Sequence, residues 1–343
     1  MRPEAGGAGV SFLVLMLTRR CNLACAYCYA RAGSAGADMS PESARRAIDR
    51  LGRGDGRLTV ELTGGEPLLN FSLVQELVLA HVGRPRPPRF ALQTNAVLLD
   101  RAKLNFLLEH GVGLGLSLDG DPATNDLTRG QGAAVVKALR LLDAAGAGVN
   151  LTVVLTRHNI ARLPELLLLA AGFRSVRVIN LDLVRPLGRA LDSDLAPAPE
   201  QVREMVPRLL ANLEFVSTRR WPPLKVREVD QVRRRTGQGE MRPYCLAAAG
   251  SAAAVTPEGE IYPCAGLAGR MDHLAGRLED PRPPELERRV ADWGLPPACA
   301  GCEVRFICRG GCPSRRIATQ GDPRRPYDLE CLLRQELFRR MQP

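Results

Sequence analysis

Ten cysteines are the residues of this sequence whose type and spacing point most directly to chemistry. They fall into two groups that are separated by more than two hundred residues. The groups are Cys21, Cys25 and Cys28, and then Cys245, Cys264, Cys299, Cys302, Cys308, Cys312 and Cys331. A cytosolic protein keeps its thiols reduced, so closely spaced cysteines there are metal ligands more often than disulfides. The sequence therefore predicts metal binding by both groups.

The first group occupies one short loop, directly after an apolar segment, Ser11 to Leu17, that we expect to form a strand. Thiolates are the usual ligands of a 4Fe-4S cluster, and three of them leave one of its irons without a protein ligand. That iron would be an open site for a small molecule. A three-cysteine zinc site and unpaired core thiols are the alternative interpretations.

The spacing C-x3-C-x2-C, with Tyr27 before the third cysteine, resembles the signature of the radical S-adenosylmethionine (SAM) enzymes. In that family SAM chelates the open iron through its amino and carboxylate groups. One electron from the reduced cluster then cleaves SAM to methionine and a 5′-deoxyadenosyl radical, which abstracts hydrogen from a substrate. The resemblance implies that Cys21, Cys25 and Cys28 hold the cluster and that Tyr27 belongs to the SAM site. It also implies a flavodoxin- or ferredoxin-like electron donor.

A second motif, Gly64-Gly65-Glu66-Pro67, follows the next apolar segment, Arg57 to Leu62. Glycines let the backbone approach a ligand closely, a carboxylate can accept from an ammonium group, and proline fixes a turn. On its own the string is also typical of an ordinary turn from strand to helix. In the radical SAM family it is the motif that binds the amino group of SAM.

Three polar residues follow the next two expected strands: Asn95, Ser117 and Asp119. Barrel enzymes build their sites at the carboxyl ends of their strands. The family resemblance implies that Asn95 belongs to the SAM site and that Ser117 and Asp119 contact the ribose or carboxylate of SAM. Asp119 could instead face the substrate and is the candidate catalytic residue. Capping of the following helix is the alternative role.

Expected strands and helices alternate along the first two thirds of the chain. The strands lie near 11–17, 57–63, 90–94, 113–118, 149–155 and 176–183, and the helices near 41–53, 71–82, 100–110, 131–146, 159–172 and 198–216. Ser40 and Pro41 predict a helix start, with Ser40 as the cap. Six such units indicate parallel pairing with right-handed crossovers but cannot close an eightfold barrel. The predicted fold is α/β, a partial (β/α)6 TIM-like barrel with a small C-terminal iron-sulfur domain.

The seven C-terminal cysteines resemble the SPASM domain, an auxiliary-cluster module of radical SAM enzymes that modify peptides and proteins. By this resemblance one auxiliary iron-sulfur cluster, of the 4Fe-4S type, would be held by Cys245, Cys264 and Cys312. A second would be held by Cys299, Cys302, Cys308 and Cys331. Zinc ribbons also use closely spaced cysteine pairs, but seven cysteines do not divide into tetrahedral zinc sites without a remainder. The predicted domains are a radical SAM core at 1–184, a bridging region at 185–240 and the SPASM domain at 241–343.

The sequence departs from one group of relatives, the anaerobic sulfatase-maturating enzymes. Those enzymes have an extra cysteine within the interval that corresponds to 246–263, and an aspartate that serves as catalytic base after the second SPASM cysteine. Here the interval holds no cysteine and Ala265 follows Cys264. A methyl group cannot take a proton, so a sulfatase-maturase activity is disfavoured. The missing cysteine predicts an open iron that could bind a substrate thiolate, unless a water or a side chain fills the position.

Composition excludes several classes of protein. With 343 residues, 45% hydrophobic and 24% charged, the chain is expected to be a globular protein of about two domains. The longest apolar runs, Phe12 to Leu17 and Leu166 to Ala171, are far shorter than the ~18–20 residues of a membrane span. No secretory signal is recognisable, so we expect a cytoplasmic location. The net charge of +10 comes from 47 basic residues of which three are lysines, an arginine bias that does not favour nucleic acid as a partner.

The sequence therefore predicts a radical SAM/SPASM enzyme that oxidatively modifies a side chain of a ribosomal peptide or small protein, for example by forming a crosslink. Twenty residues precede Cys21, too few for a leader-binding domain. Recognition of a leader peptide would then fall to the bridge, the SPASM face or a separate leader-peptide-binding protein. An enzyme of tetrapyrrole or redox-cofactor biosynthesis is the alternative. An iron-sulfur electron-transfer protein without SAM chemistry is the third possibility, which Gly64-Gly65-Glu66-Pro67 disfavours.

Overall fold

A computed structural model describes residues 9–52, 58–236 and 242–342. Its centre is a set of six parallel strands, each paired with the next one in the chain. They are β1 Phe12–Met16, β2 Thr59–Thr63, β3 Arg89–Thr94, β4 Gly113–Ser117, β5 Val149–Leu155 and β6 Val176–Leu183. All six predicted strands are confirmed, except that residue 57, where the second was expected to begin, lies outside the described residues.

Helices follow each of these strands. They are α1 Pro41–Leu51, α2 Phe71–His81, α3 Arg101–Glu109, α4 Pro122–Asp126, α5 Gly132–Ala144, α6 Leu163–Ala171 and α7 Pro199–Ser217. The six predicted helices are confirmed, although residue 53, the expected end of the first, is not described. The short α4 was not predicted, because five residues carry too little periodicity to be recognised.

The start of α1 shows how the sequence determines an element. The Ser40 hydroxyl accepts a hydrogen bond from the backbone N–H of Ser43 at 3.0 Å, and Pro41 occupies the first turn, as predicted. The helix buries one apolar face, which carries Ala44, Ala47, Ile48 and Leu51. This helical spacing directs the face onto the sheet.

The sheet continues beyond the six strands on both sides. β7 Lys225–Val226 pairs with β6, and β8 Ala252–Val255 pairs in parallel with β1. β9 Glu260–Tyr262 and β10 Gly276–Arg277 add two antiparallel strands next to β8. In the described part of the chain β1 and β6 thus have other neighbours and do not pair with each other. The barrel is therefore partial and open, as predicted.

The remaining helices are α8 Arg227–Arg235, α9 Leu286–Val290, α10 Arg305–Cys308, α11 Pro313–Gln320 and α12 Asp328–Arg340. One core of buried residues includes Leu15 of β1, Val255 of β8 and Leu337 of α12, so the two ends of the chain share it. The expected boundary between 240 and 241 lies outside the described residues, and the division into three domains stays a prediction. None of the described helices is long and apolar enough to cross a membrane.

Candidate functional site: three groups of thiols

The first cysteine loop leaves the carboxyl end of β1, and its three thiols lie close to one another. Cys21, Cys25 and Cys28 are half-buried and outside any disulfide. Burial raises the pKa of the Cys21 thiol, and the charges of Glu66 and the other two cysteines raise it further. Three thiolates at this position therefore repel one another unless a cation is shared among them.

The end of β3 contacts this loop through Asn95. Its side-chain amide lies 3.9 Å from the Cys21 sulfur and donates to Asn22 Oδ1 at 2.9 Å. The Asn95 backbone N–H in turn donates to Glu66 at 2.8 Å. Asn95 thus joins the loop of the thiols to the Gly-Gly-Glu-Pro motif.

The end of β4 contacts the loop through Tyr27. The Tyr27 hydroxyl donates to Asp119 Oδ2 and accepts from Arg129 Nη1 at 2.5 Å. The Arg129 guanidinium also lies over the Tyr27 ring, 5.7 Å from its centroid. A buried tyrosine, carboxylate and guanidinium therefore fix the segment between the second and third cysteines.

Asp119 has internal partners for both of its carboxylate oxygens. Oδ1 accepts from the Val154 N–H at 2.9 Å and lies 3.9 Å from Arg129 Nη1, and Oδ2 also accepts from the Thr128 hydroxyl at 3.2 Å. Burial raises the pKa of Asp119, while Arg129 and these hydrogen bonds act against that rise. The contacts give Asp119 a positioning role toward Tyr27, and its catalytic role stays a prediction.

The two glycines of the second motif approach the chain itself. A Cβ on Gly64 would lie under 3.0 Å from the Thr18 carbonyl oxygen, and one on Gly65 under 3.0 Å from that of Arg20. Because no Cβ is present, the backbones come close enough to form hydrogen bonds: the Gly65 N–H donates to the Thr18 carbonyl at 2.7 Å and the Glu66 N–H donates to the Arg20 carbonyl at 2.8 Å. The glycines thus allow the chain after β2 to pack closely against the segment that enters the cysteine loop. From the sequence we expected glycine at these positions because of contact with a ligand, whereas the structure shows contact with the backbone of the protein itself.

Glu66 is fully buried and ties β2 to β3. Its carboxylate accepts from the Leu68 N–H at 3.0 Å, the Thr94 hydroxyl at 2.6 Å and the Asn95 N–H at 2.8 Å. Burial raises the pKa of Glu66, and these donors lower it. A carboxylate has about four acceptor sites, so about one remains for an ammonium group. Pro67 begins the short 3-10 turn that follows.

Ser117 lies at the end of β4, and its hydroxyl accepts from the Gln93 amide at 3.1 Å. It is buried, as are Glu66, Asn95 and Asp119. The residues expected to bind SAM thus gather at the carboxyl ends of three adjacent strands. Glu66 and Asn95 lie next to Cys21, whereas Asp119 reaches the cysteine loop through Tyr27.

The seven C-terminal cysteines act on one another's pKa values in two sets, and the assignment of a cluster to each set stays a prediction. Burial raises the pKa of Cys245 to about 11, and Cys312 and Cys264 contribute to the rise. Burial likewise raises the pKa of Cys331 to about 12, and three cysteines add to it, namely Cys308, Cys299 and Cys302. We call these the Cys245 group and the Cys331 group.

Within the described ranges, no three His, Cys, Asp or Glu side chains converge closely enough to hold a single metal ion. An iron-sulfur cluster is wider than one ion, because its own irons and sulfides lie between its ligands. Thiolates are also the ligands that such clusters prefer. The thiolate donors of all three groups therefore fit iron-sulfur clusters.

Buried arginines are the functional residues that sequence reasoning missed. Arg315 pairs with Glu330 at 2.7 Å and also with Asp182, while Asp182 accepts from Arg185 Nη1 at 2.7 Å. This chain of charges joins the end of β6 to α11 and α12. The sequence interpretation treated arginine as a compositional bias. Two signals were available: Asp182 and Arg185 lie where β6 ends, and Arg315 lies three residues after Cys312.

A cleft of about 80 Å³ lies between the segment after β6 and the last two helices. Its walls are mostly apolar, with a few polar groups, and its volume is below the ~300–1,000 Å³ of small-molecule pockets. The lining residues are Val184, Arg185, Pro186, Ala190, Ser193, Leu195, Ala196, Thr319 and Tyr327.

The segment after β6, which lines the cleft, is also hydrogen-bonded to the cysteine loop through Arg189. The Arg189 backbone N–H donates to the Cys28 carbonyl at 3.0 Å, and its guanidinium donates to the Cys25 carbonyl at 3.3 Å. A Cβ on Gly188 would lie under 3.0 Å from the Cys28 carbonyl oxygen. The cleft and the first thiol group therefore share one wall of backbone.

Comparison with known proteins identifies the family. Residues 15–170 match the radical SAM superfamily. Mycofactocin maturase MftC of Mycobacterium tuberculosis is 30% identical over 337 residues, which cover 92% of this chain and 81% of that protein. The chain belongs to the radical SAM superfamily, which implies a 4Fe-4S cluster and SAM.

Two further proteins are similar over most of the chain. PqqA peptide cyclase of Xanthomonas axonopodis pv. citri is 29% identical over 334 residues, covering 90% of this chain and 84% of that one. Among solved structures, anSMEcpe with bound AdoMet and Cp18Cys peptide superposes with a TM-score of 0.78 at 21% identity. The superposition covers 96% of this chain and 95% of that one, so the fold extends through the C-terminal region.

Proposed function

We propose that this radical SAM enzyme is a peptide maturase, which oxidatively modifies a side chain of a ribosomally made peptide or small protein. The observation that carries the proposal is the division of ten thiols into three groups, one at the ends of the barrel strands and two in the C-terminal region. A simple SAM-cleaving core needs only the first group. The other two suit an enzyme that must also remove an electron from its substrate.

In this proposal Cys21, Cys25 and Cys28 hold the SAM-binding cluster. A reduced 4Fe-4S cluster supplies one electron that cleaves bound SAM and gives a 5′-deoxyadenosyl radical able to take a hydrogen atom. The residues present fit the group, because three half-buried thiols provide its preferred ligands and leave one coordination position open.

The surrounding residues orient SAM and the loop. Glu66 uses its remaining acceptor site for the SAM amino group, and Gly64, Gly65 and Pro67 hold Glu66 at that position. Asn95 and Ser117 present polar groups at the ends of the next two strands. Tyr27 and Asp119 keep the loop in place through their buried hydrogen bond.

The Cys245 group and the Cys331 group hold the two auxiliary clusters, both of the 4Fe-4S type. The Cys245 group supplies three thiols, so one ligand position of its cluster is left for water, a side chain or the substrate. Ser314 lies beside this group, with its hydroxyl 3.2 Å from the Cys312 sulfur.

A peptide substrate is supported by the relatives. The cleft of about 80 Å³ is too small for a drug-sized molecule, and we propose that it receives one side chain of the peptide. MftC is a maturase and the Xanthomonas relative is a peptide cyclase. The anSMEcpe structure contains a peptide, but Ala265 after Cys264 does not favour a sulfatase-maturase activity for this chain. A leader-peptide-binding protein and a flavodoxin- or ferredoxin-like reductant are the further partners of this proposal.

Anaerobic reconstitution with iron and sulfide tests the assignment. We expect ~12 irons per chain for three clusters, and ~8 irons with no SAM cleavage after Cys21, Cys25 and Cys28 are replaced by Ala. Cys331→Ala is the matched control, since it removes a thiol of the Cys331 group and should leave SAM cleavage in place. About 4 irons in the wild type would contradict the auxiliary clusters, and bound zinc would contradict the whole assignment.

Substrate class is tested by 5′-deoxyadenosine formation and by the mass of the product. A peptide encoded beside the gene is expected to stimulate the reaction and to lose hydrogen. Porphyrins are expected to have no effect. The opposite result would favour tetrapyrrole biosynthesis, and no SAM cleavage with either would favour an electron-transfer protein.

A further inference from the structure

Arg185 lies two residues beyond the end of β6 and points one edge of its guanidinium at the Cys245 group. Nη2 lies 3.9 Å from the Cys312 sulfur, while Nη1 donates to Asp182 Oδ2 at 2.7 Å. The Arg185 side chain is 19% exposed, so most of it is removed from water. An arginine stays charged under these conditions, and it places a permanent cation beside a cluster ligand.

Arg185 belongs to a network of two guanidiniums and two carboxylates, and it is the member whose guanidinium contacts the Cys312 sulfur. Asp182 is shared, since Arg315 also donates to it, and Arg315 forms a second ion pair with Glu330 at 2.7 Å. The effect of Arg185 extends to a second thiol. Burial and the charge of Cys312 raise the pKa of Cys264, whereas Arg185 acts in the opposite direction.

The Cys331 group has a different electrostatic environment. After burial, the largest charge effect on the Cys308 pKa is that of Glu330, which raises it, followed by that of Arg334, which lowers it. Glu330 also raises the pKa of Cys331. Glu330 is not specific to this group, because its Oε2 also accepts from the Cys312 backbone N–H at 3.1 Å. The difference is the Arg185 guanidinium, which contacts a sulfur of the Cys245 group directly.

Reduction by one electron adds a negative charge to an iron-sulfur cluster. A cation and an N–H donor at a ligand sulfur stabilise the reduced form more than the oxidised form, and this raises the reduction potential. We propose that Arg185 raises the reduction potential of the auxiliary cluster at the Cys245 group. The proposal rests on the assignment of auxiliary clusters under the proposed function.

Arg185 also lines the cleft, so the same side chain contacts both the cluster ligand and the space proposed for a substrate side chain. Its position connects the Cys245 group to the cleft. The hydroxyl of Ser314, 3.2 Å from the Cys312 sulfur, adds a second polar contact at the same ligand.

Redox titration of the reconstituted, full-length protein with dithionite, followed by EPR, tests the proposal. We expect Arg185→Gln to lower the potential of the Cys245-group cluster, because the cation is lost. Asp182→Asn should raise it, because the carboxylate that opposes the cation is lost. The Cys331-group cluster in the same sample is the internal reference and should keep its potential.

Arg220→Gln is the matched control variant. Arg220 is also half-buried, but it donates to the Val176 carbonyl at 2.9 Å, at the opposite end of β6. Both auxiliary potentials should be unchanged in this variant. A general effect of removing a half-buried arginine would shift them.

The outcomes separate the two proposals. A wild type without auxiliary-cluster signals contradicts the proposed function. Intact signals with an unchanged Cys245-group potential in Arg185→Gln contradict the role of Arg185 alone. If Arg185→Gln loses iron from the Cys245 group, the Asp182→Asn titration tests the inference instead. An unchanged or lowered potential of the Cys245-group cluster in Asp182→Asn would overturn it.

Discussion

The Tyr27 hydroxyl donates a hydrogen bond to Asp119 Oδ2, which joins two residues that are 92 positions apart in the chain. Tyr27 lies between two cysteines of the first thiol group, and Asp119 lies just beyond β4. The contact fixes the cysteine loop relative to the strands that present the SAM-binding candidates. Loss of either partner should therefore affect cluster retention and stability together.

Asp119→Asn is expected to reduce the free energy of unfolding by about 3–5 kcal/mol, because the buried guanidinium of Arg129 loses its counter-charge. Tyr27→Phe removes one hydroxyl and should cost about 1–3 kcal/mol. Urea unfolding and iron content measure both effects. If Asp119→Asn abolished hydrogen abstraction while its stability and iron content stayed normal, Asp119 would be a catalytic residue and the positioning role would be wrong.

Gly65→Ala is expected to destabilise the protein by about 1–3 kcal/mol or more and to lower its iron content, because the added methyl collides with the Arg20 carbonyl. Gly33→Ala is the matched control in the neighbouring segment, since no atom lies within 4 Å of its added Cβ. The control should change stability by less than about 0.5 kcal/mol. If the two substitutions lowered the thermal unfolding temperature equally, the close packing of Gly65 against the Arg20 carbonyl would not be the cause of the destabilisation.

Glu330 should make stability depend on pH. Burial raises its pKa, but Arg315 and Arg334 outweigh burial, and the net pKa lies below the ordinary value of 4.5. The unfolded chain then binds more protons, so the stabilisation is present above pH 4.5 and is lost as the pH falls further. At pH 7 we expect Glu330→Gln to be less stable by about 3–5 kcal/mol.

The difference between wild type and Glu330→Gln should shrink below pH 4.5, as Glu330 is protonated. Urea titrations at pH 7 and at successively lower pH measure it. Because Glu330 contacts Cys312, iron content is measured at each pH to separate cluster loss from protonation of Glu330. A difference that stayed constant with pH would show that the carboxylate is not held ionised by its arginine neighbours.

Ala196→Trp should fill the cleft without disturbing the core, because Ala196 lies at its exposed rim. We expect product formation from the peptide to fall at least about tenfold, a loss of ~1.4 kcal/mol in binding or orientation, while SAM cleavage without peptide continues. Ala133→Trp, at an exposed position of α5, is the control and should affect neither. Unchanged product formation in Ala196→Trp would place the substrate elsewhere.

Much of the fold follows from periodicity in the sequence. The six barrel strands and their helices alternate over segments long enough to show it, and Ser40 and Pro41 mark the start of α1 correctly. The added strands β7 to β10 have two to four residues each, which is too short for a recognisable pattern. Their positions are determined by pairing partners that are distant in the chain.

The site is predictable in its cysteines and less so in its charges. The spacing of the thiols indicated two groups, and the resemblance to the SPASM domain divided the second group in two. Cys312 and Cys264 both act on the pKa of Cys245, in keeping with that division. The pairing of Arg315 with Asp182 joins residues 133 positions apart, and no local pattern encodes such a contact. An arginine-rich composition concealed the few arginines that are buried and paired.

The parallel pairing of β8 with β1 has a consequence for biosynthesis. Ser11 and Ser251, which contact each other at the start of this pairing, are 240 residues apart. At ~5–20 residues per second, a ribosome needs roughly 12–48 s to add that length. During this interval β1 has an unpaired edge, and unpaired edges recruit strands from other chains. Slower initiation or lower expression should therefore improve the yield of soluble protein, since the cysteine loop stays attached to an incomplete sheet until β8 has been synthesised.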